Sequence, residues 1–462
     1  MKCNNVWTYR PYHPYFFDVG DIYINRLCPY KNSFHIEWLC LDDKAVYTVF
    51  YRKRDCGEYI KAGETEKTEF DVFGLTEDYE YEVFVQCGDK KSRIRLLRTG
   101  ECIGTIVNYL HPDDEVYSFS GHYLCSPSLV RHPGGYLLAS MDVYGKTDPQ
   151  NLTLIFRSDD NGKTWHYVSE LFPCFWAKMF IHKDELYILS ASTEYGDLLI
   201  GKSADGGKTF GTPTVLLRGS GRKSQPGVHK NPQNIVYYKG RIYETLEWGP
   251  GDQGDHAVMV MSCNENDDLL VAENWHLSEP IRYNRFWNGV PDGISSGNIE
   301  GTLVMFPDGK LYNVMRYDMS RLTPNRGLVV AYKVNDSDPD APLEFSHMIK
   351  MPCNSAKFMI KKDPLSGKYY SIVDRLTDER EFWCRNLLSL MSSENMEDWK
   401  VECDLFDFRD KDPMYTGLQY VDFEIEGDNI IYLCRTALNR PNNFHDSNYS
   451  TFHVIKNFRN IT

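Results

Sequence analysis

Short segments in which apolar and polar residues alternate fill the first hundred positions of the chain, among them HIEWLCL, AVYTVFYRK and YEYEVFVQC. Alternation with a period of two puts successive side chains on opposite faces of a strand, one buried and the other in water. Seven such segments between Val19 and Thr99 predict a small antiparallel sandwich. We therefore expect a separate β-sandwich over residues 1–100.

A longer unit repeats through the rest of the chain. Its recurring part is a tight Gly/Asp turn followed by a strand, as in GGYLLASMD, KDELYILSA, KGRIYETLE, DGKLYNVMR, SGKYYSIVDR and GDNIIYLCR. The turns recur about every 50 to 70 residues, which suits four-stranded blades arranged around an axis. The pattern predicts an all-β chain in which a six-bladed β-propeller, residues 101–462, follows the sandwich. The segment GTIVNYL would add the strand that closes the ring and hides its last free edge.

Composition supports this fold and excludes several classes of partner. The 31 Tyr and 24 Phe favour sheets, and a net charge of −14 excludes nucleic-acid binding as the main activity. The chain has no run of 18 apolar residues, and its first residues lack the features of a signal peptide, so we expect a cytoplasmic protein without a membrane partner. The 13 Cys are scattered singly, and we expect reduced thiols, no bound metal and no cofactor.

One motif occurs twice, as RSDDNGKTWHYV at residues 157–168 and KSADGGKTFGTP at 202–213, with a degraded copy, SENMEDW, at 393–399. Its residue types suit a tight turn after the third strand of a blade, which we expect Asp159, Gly162, Thr164 and Trp165 to fasten. The motif resembles the Asp-box of the sialidase-like (neuraminidase, BNR) six-bladed propellers. The resemblance covers the chain after about Gly104.

The first hundred residues carry a second resemblance. Trp38, followed by LTEDYEYEVFV with Tyr81, is similar to the fibronectin type III module, in which such a Tyr supports the corner before the penultimate strand. The resemblance implies a spacing or docking module without catalytic residues.

Candidate chemistry comes from position within the repeat. Propeller ligands bind near the axis, at the face where inner strands begin and second strands end. Counting seven residues from each turn gives mostly charged second-strand ends: Asp142, Ala191, Glu247, Arg316, Asp374 with Arg375 beside it, and Arg435. The starts of inner strands and one long loop add Trp176, His229, Lys230, Glu300, Tyr420, His445 and Asp446. Acidic and basic groups that converge on one axis predict a binding site for a charged sugar.

The resemblance to sialidases assigns roles to several of these residues. GNIEGTLVMFPDGKLYNVMRYD is similar to the sialidase segment that holds a catalytic Glu and a carboxylate-binding Arg, which implies these roles for Glu300 and Arg316. GLQYVDFEIEGDNIIYLCR likewise implies that Tyr420 is the nucleophile and gives up its proton to a carboxylate. The resemblance implies Asp142 as the acid/base, and Glu247 is a further candidate catalytic carboxylate.

The chain departs from the sialidase pattern at one position. The stretch YLCSPSLV has Cys125 where sialidases carry the first Arg of a carboxylate-binding triad, which argues against sialic acid as the substrate. Two other Arg could still hold a carboxylate together with Arg316. The expected substrate-binding residues are Arg316, Arg375, Arg435, Trp176, His229, Lys230, His445 and Asp446.

Three functions remain open. The first is an exo-acting glycoside hydrolase that cleaves a terminal, acidic sugar from a glycan or polysaccharide. The second is a uronate-specific lyase on the same face, in which His229 or His445 and a Tyr move protons while Arg neutralises the carboxylate. The third is a carbohydrate-binding propeller without catalysis. In all three the expected partner is a carbohydrate, anionic in the first two.

Overall fold

The computed structural model describes residues 21–40, 45–222, 224–250, 256–319, 322–323 and 326–461. Val19, at which the predicted sandwich begins, lies outside the described residues. The described part contains 33 strands and three short 3₁₀ helices, Ala272–Asn274, Glu379–Glu381 and Phe458–Asn460. The fold is therefore all-β, as the alternating segments predict.

A β-sandwich opens the described chain. Its strands are β1 (Ile22–Pro29), β2 (Ser33–Cys40), β3 (Tyr47–Lys53), β4 (Ile60–Thr65), β5 (Glu69–Phe73), β6 (Glu80–Cys87), β7 (Lys90–Lys91) and β8 (Arg95–Arg98). One sheet has the order β1-β2-β5 and the other β4-β3-β6-β7, with β8 also paired to β6. The Tyr81 hydroxyl accepts a hydrogen bond from the Thr76 amide at 2.8 Å, so Tyr81 holds the chain at the corner before β6.

Six further sheets form the blades of a propeller. The strand β9 (Thr105–Tyr109) comes first in the chain. Blade 1 has β10 (Tyr123–Arg131), β11 (Leu137–Tyr144), β12 (Leu152–Ser158) and β13 (His166–Leu171); blade 2 has β14 (Phe175–His182), β15 (Glu185–Ala191), β16 (Leu198–Ser203) and β17 (Thr214–Leu217); blade 3 has β18 (Gly227–His229), β19 (Val236–Tyr238), β20 (Arg241–Gly249), β21 (Ala257–Asn264) and β22 (Trp275–Leu277). Blade 4 has β23 (Ser295–Met305), β24 (Leu311–Met319), β25 (Leu328–Lys333) and β26 (Glu344–Lys350); blade 5 has β27 (Ile360–Lys362), β28 (Tyr369–Asp374), β29 (Leu387–Ser393) and β30 (Trp399–Asp407); blade 6 has β31 (Gly417–Glu426), β32 (Asn429–Ala437), β33 (Tyr449–Ile455) and β9.

The strand β9 closes the ring. It pairs antiparallel with β33, with Tyr109 opposite Tyr449 and Thr105 opposite Phe452. Blade 6 thus takes its outermost strand from the segment GTIVNYL, which pairs with the edge of β33 that would otherwise be free.

The repeated motif forms turns between the third and fourth strands of blades 1 and 2. Asp160 accepts hydrogen bonds from the amide and the hydroxyl of Thr164 at 2.9 and 2.6 Å, and Asp205 bonds Thr209 in the same way. The expectation for Asp159 is wrong by one position, because its carboxylate pairs with a neighbouring arginine instead. The motif fastens the outer turns of the blades.

The sandwich contacts the closing strand directly. Arg26, on β1, donates hydrogen bonds to the carbonyl oxygens of Val107 and Ile106 at 2.8 and 3.1 Å. A second link is the buried ion pair between Arg95 and Asp114, 2.6 Å apart. The sandwich therefore supports the ring at the point where it closes.

Candidate active site

Four inner strands break their pairing at the same place in the blade. The strands β10, β14, β23 and β31 each carry a β-bulge close to the end of the neighbouring second strand. The bulge residues Ser126, Trp176, Glu300 and Tyr420 have φ angles of 49°, 53°, 57° and 57°. Such angles are rare outside Gly and cost about 1–3 kcal/mol each. Because a bulge redirects a side chain, one structural device places four residues from separate blades at equivalent positions.

Tyr420 and Glu300 are in direct contact across two blades. The Tyr420 hydroxyl donates a hydrogen bond to Oε1 of Glu300 at 2.6 Å. Arg316, on β24, donates from Nη1 to Oε2 of Glu300 at 2.6 Å, and the same nitrogen lies 3.4 Å from the Tyr420 oxygen. The structure thus brings together three residues that the sequence places in two separate repeats.

The electrostatics of this group keep the carboxylate charged and the phenol protonated. Burial alone would raise the pKa of Glu300, but Arg316 and the Tyr420 hydrogen bond lower it below its usual value. Burial and the charge of Glu300 raise the pKa of Tyr420 to about 12. Glu300 is therefore an ionised acceptor for the Tyr420 proton.

Three arginines surround Tyr420. Besides Arg316, the guanidinium carbons of Arg435 and Arg385 lie 5.1 and 5.5 Å from the centre of the Tyr420 ring. Arg375 is not among them, because its guanidinium binds Asp404 on the outermost strand of blade 5 at 2.6 Å. The structure corrects the expectation that Arg375 contacts substrate, and Arg385 stands in its place.

Asp142 lies inside blade 1 and away from solvent. It is fully buried, and its two oxygens accept hydrogen bonds from the Thr153 hydroxyl and the Trp176 amide, both at 2.6 Å. Burial raises its pKa to about 7. The structure therefore corrects the expectation that Asp142 meets substrate as the acid/base, because this buried carboxyl braces the bulge at Trp176 in the next blade.

Glu247 braces a bulge in the same way. It is fully buried, and its Oε1 accepts a hydrogen bond from the Gly301 amide, next to Glu300, at 3.3 Å. Its Oε2 lies 2.6 Å from Nδ1 of His229. Burial would lower the pKa of His229, but Glu247 raises it above its usual value. Glu247 thus supports Glu300 and His229 from behind, and the expectation of a catalytic carboxylate in contact with substrate is corrected.

Aromatic rings line the opposite side of the site, on blades 2 and 3. The rings of Trp176 and His229 have centroids 4.5 Å apart, and His229 lies equally close to His256. Trp176 is half-buried, so it is the member of this wall that a ligand meets first. Lys230 is fully buried and donates to the Trp176 carbonyl at 2.9 Å, so it supports the wall and does not reach substrate, contrary to the sequence-based expectation.

The long loop of blade 6 brings His445 and Asp446 to Arg435. Arg435 donates a hydrogen bond to the His445 carbonyl, and Nδ1 of His445 lies 2.9 Å from Oδ1 of Asp446. Burial and the charge of Arg435 lower the pKa of His445 to about 4. His445 is therefore a neutral imidazole at pH 7, and its ring packs against Tyr144 at 5.4 Å.

Buried charges also occupy the inner strands below the site. Lys178 pairs with Asp422 at 2.6 Å and Lys230 with Glu244 at 3.1 Å. Burial lowers the pKa of Lys357 to about 8. The sequence could have predicted a buried ion pair at Lys178, because a Lys in the middle of the apolar strand FWAKMFIH is rarely buried without a partner.

Within the described ranges, no group of His, Cys, Asp and Glu side chains is arranged to hold a metal ion. No helix of those ranges is long and apolar enough to cross a membrane.

The described sheets define the fold class, a six-bladed β-propeller preceded by a β-sandwich, and Glu300, Tyr420 and Arg316 meet on the propeller. An α-L-arabinofuranosidase of Fusarium graminearum, solved with an iminosugar inhibitor, is 13% identical over 78% of this chain and 99% of its own, with a TM-score of 0.51. A GH93 α-L-arabinofuranosidase structure from the same organism, with arabinobiose, is 14% identical over 77% and 98%, with a TM-score of 0.50. At these identities the likeness concerns the fold alone. The sequence matches no protein-family model and no curated protein.

Proposed function

We propose that the protein is an exo-acting glycoside hydrolase that removes a terminal, acidic sugar from a glycan. The contact of Tyr420 with Glu300 and Arg316 carries this proposal, and two further Arg lie around the same ring. The group is largely buried, which suits the end of a glycan chain better than its middle.

The proposed reaction has two steps. In the first, the Tyr420 oxygen attacks the anomeric carbon while Glu300 takes the phenolic proton, and the glycosidic bond breaks as its oxygen receives a proton from an acid. In the second, water attacks the anomeric carbon and gives a proton to the base form of that acid, while Tyr420 leaves and recovers its proton from Glu300. A neutral phenol is a suitable nucleophile here because a sugar carboxylate does not repel it.

Asp148 is the proposed acid. It is half-exposed in the loop after β11, the loop in which the sialidase resemblance locates the acid/base. Burial, Asp446 and Asp148 raise the pKa of Tyr123, which supports a position of Asp148 near the same ring as Asp446, the neighbour of His445. Replacement of Asp148 by Asn tests this role: hydrolysis of an aryl glycoside with an acidic phenol should persist, whereas cleavage of a sugar–sugar bond should be lost.

The arginines support an acidic substrate. Guanidinium groups bind carboxylates through paired, charge-assisted hydrogen bonds, and Arg316, Arg385 and Arg435 are grouped around one ring. A neutral pentose is the second candidate, because the enzymes of similar fold were solved with arabinobiose or an iminosugar and Cys125 removes one Arg from the sialidase pattern.

A panel of aryl glycosides and polysaccharides, with identification of the released sugar, tests the proposal. Release of an acidic monosaccharide by the unmodified protein, and its loss in Glu300→Gln, is the expected result. Release of arabinose would replace the acidic substrate by a neutral one. An unsaturated product that absorbs in the ultraviolet would indicate a lyase, and binding without any product would indicate a carbohydrate-binding propeller.

A further inference from the structure

A groove opens beside the candidate active site, between blades 4 and 5. It is a cavity of about 580 Å³, and its described lining includes Arg326 from blade 4 and Glu379, Arg380, Phe382 and Trp383 from blade 5. Both lining segments follow the second strands of their blades, β24 and β28. The groove therefore lies on the face of the propeller that carries Arg316.

A continuous set of contacts joins the groove to Tyr420. The rings of Trp383 and Phe444 have centroids 5.5 Å apart. The guanidinium of Arg385 lies 5.5 Å from the centre of the Phe444 ring and also 5.5 Å from the centre of the Tyr420 ring. A molecule that leaves the site over Phe444 thus meets Trp383 next.

The blade 5 wall of the groove is fixed to the inner part of the blade. The Ser355 amide donates to the Phe382 carbonyl at 3.0 Å, and the Asn354 side chain donates to the Cys384 carbonyl. These bonds hold the backbone on both sides of Trp383 while its ring stays half-exposed. Because the backbone is fixed, the half-exposed Trp383 ring can bind a sugar ring while the protein loses little conformational entropy.

The chemistry of the lining suits a sugar ring. The Arg326 guanidinium lies over the Phe382 ring, 3.8 Å from its centre, and covers that face, so the half-exposed Trp383 ring is left as the aromatic face for a ligand. Aromatic faces cover the C–H side of a sugar, and guanidinium and carboxylate groups bind its hydroxyls or a carboxylate. Glu379 supplies a carboxylate at the rim, and Arg380, paired with Asp378, supplies a guanidinium beside it.

We propose that this groove binds the sugar residues that follow the terminal one, on the leaving-group side of the substrate. The inference rests on the proposed function, because it takes the cleaved bond to lie at Tyr420. It adds a second binding site to the reaction and makes a glycan of at least three sugars the natural ligand. Trp383 is its central contact.

Calorimetric titration of the Glu300→Gln protein tests the inference without turnover. The probes are two trisaccharides, trigalacturonate and α-1,5-arabinotriose, and the matching monosaccharides, galacturonate and arabinose. We expect at least one trisaccharide to bind tenfold or more tightly than its monosaccharide. Adding Trp383→Ala should abolish this gain and leave the affinity for the monosaccharide unchanged.

Phe73→Ala is the matched control, because Phe73 is an exposed aromatic residue of the sandwich, 74% accessible, and should change neither affinity. Equal weakening of trisaccharide and monosaccharide by Trp383→Ala would overturn the inference, as would a trisaccharide that binds no better than its monosaccharide or a failure of all four probes to bind. Turnover of glycosides by the unmodified protein is measured separately, so the proposed hydrolase can stand when the groove fails.

Discussion

The reactivity of Tyr420 depends on one hydrogen bond. With a pKa of about 12, the phenol keeps its proton at neutral pH and is a weak nucleophile on its own. Glu300 accepts that proton at 2.6 Å, and Arg316 keeps Glu300 ionised. The positive φ angles of Glu300 and Tyr420 show that the backbone is strained at the two residues whose side chains meet.

Glu300→Gln should fold normally and lose about 10²–10⁴-fold in kcat, because the amide cannot take the Tyr420 proton. The measurement is kcat on the best glycoside of the panel, with circular dichroism and thermal unfolding as controls for the fold. Turnover at the level of the unmodified protein would remove Glu300 from the mechanism.

Asp142→Asn should change how stability depends on pH. The pKa of Asp142 is about 7 in the folded protein, raised from 3.8 by burial, so its contribution to stability is full below the unfolded pKa and is lost as the pH rises through 7. Asn mimics the protonated acid, because its amide can donate to Thr153 while Thr153 donates to the Cys174 carbonyl. The fall in unfolding free energy between pH 5 and pH 9, measured with urea, should shrink by up to about 3 kcal/mol, because only the two pH units below the folded pKa contribute, at about 1.4 kcal/mol each. An unchanged fall would show that Asp142 is ionised at both pH values.

At the scale of strands, each brace connects one blade to the next. The carboxylates of Asp142 and Glu247, near the ends of β11 and β20, accept hydrogen bonds from the bulges of β14 and β23. A hydrogen bond contributes about 0.5–1.5 kcal/mol, whereas a positive φ angle costs about 1–3 kcal/mol. The braces therefore offset part of the strain that directs Trp176 and Glu300 toward the site.

Glu247→Ala and Glu247→Gln should differ for this reason. Gln keeps an acceptor for the Gly301 amide, so kcat should stay within about tenfold of the unmodified protein, whereas Ala removes the brace and should cost about 10–100-fold. Both variants remove the charge that raises the pKa of His229, so any limb of the pH–rate profile that reports His229 should move to lower pH in both. Equal loss of kcat in the two variants would contradict a bracing role.

The same scale explains which site residues the sequence could predict. Counting from the turns found Arg316 and Arg435 because β24 and β32 keep a regular length after the turn. The count failed at Arg375. The arginine of blade 5 that lies beside the Tyr420 ring is Arg385, which follows a loop after β28, and the length of that loop does not repeat from blade to blade. It also gave the wrong role for Asp142, because the position of a residue along a strand does not show whether its side chain faces the site or the next blade. The fold was predictable because strand alternation runs through the whole chain, the tight turns recur in each unit of the propeller, and the Asp-box marks blades 1 and 2.

For the molecule as a whole, the sandwich stabilises the closure of the propeller. Arg26 donates to two carbonyl groups of β9 and pairs with the largely buried Glu37 at 2.5 Å. Removal of one partner from a buried ion pair typically costs about 3–5 kcal/mol, and here the cost should be smaller because His166 also contacts Glu37, at 3.1 Å. The sandwich and the propeller are thus connected through β9, the strand that closes the propeller.

Arg26→Met should therefore loosen β9 before any other strand. We expect faster hydrogen exchange at Ile106, Val107 and Tyr109, measured by mass spectrometry. We also expect a lower Tm, measured by thermal unfolding. Arg52→Met, which breaks the half-exposed pair with Glu82 inside the sandwich, is the matched control and should leave exchange in β9 unchanged. Equal acceleration by both variants would show that the Arg26 contact has no special effect on closure.

The position of β9 also sets the order in which the newly made chain can fold. Its partner strand begins at Tyr449, about 340 residues after Tyr109, so at a synthesis rate of about 5–20 residues per second β9 waits roughly 17–70 s for it. During that time the sandwich is already complete and holds β9 by its carbonyl groups. The sandwich thus anchors this strand in place until the last blade has been made and can pair with it.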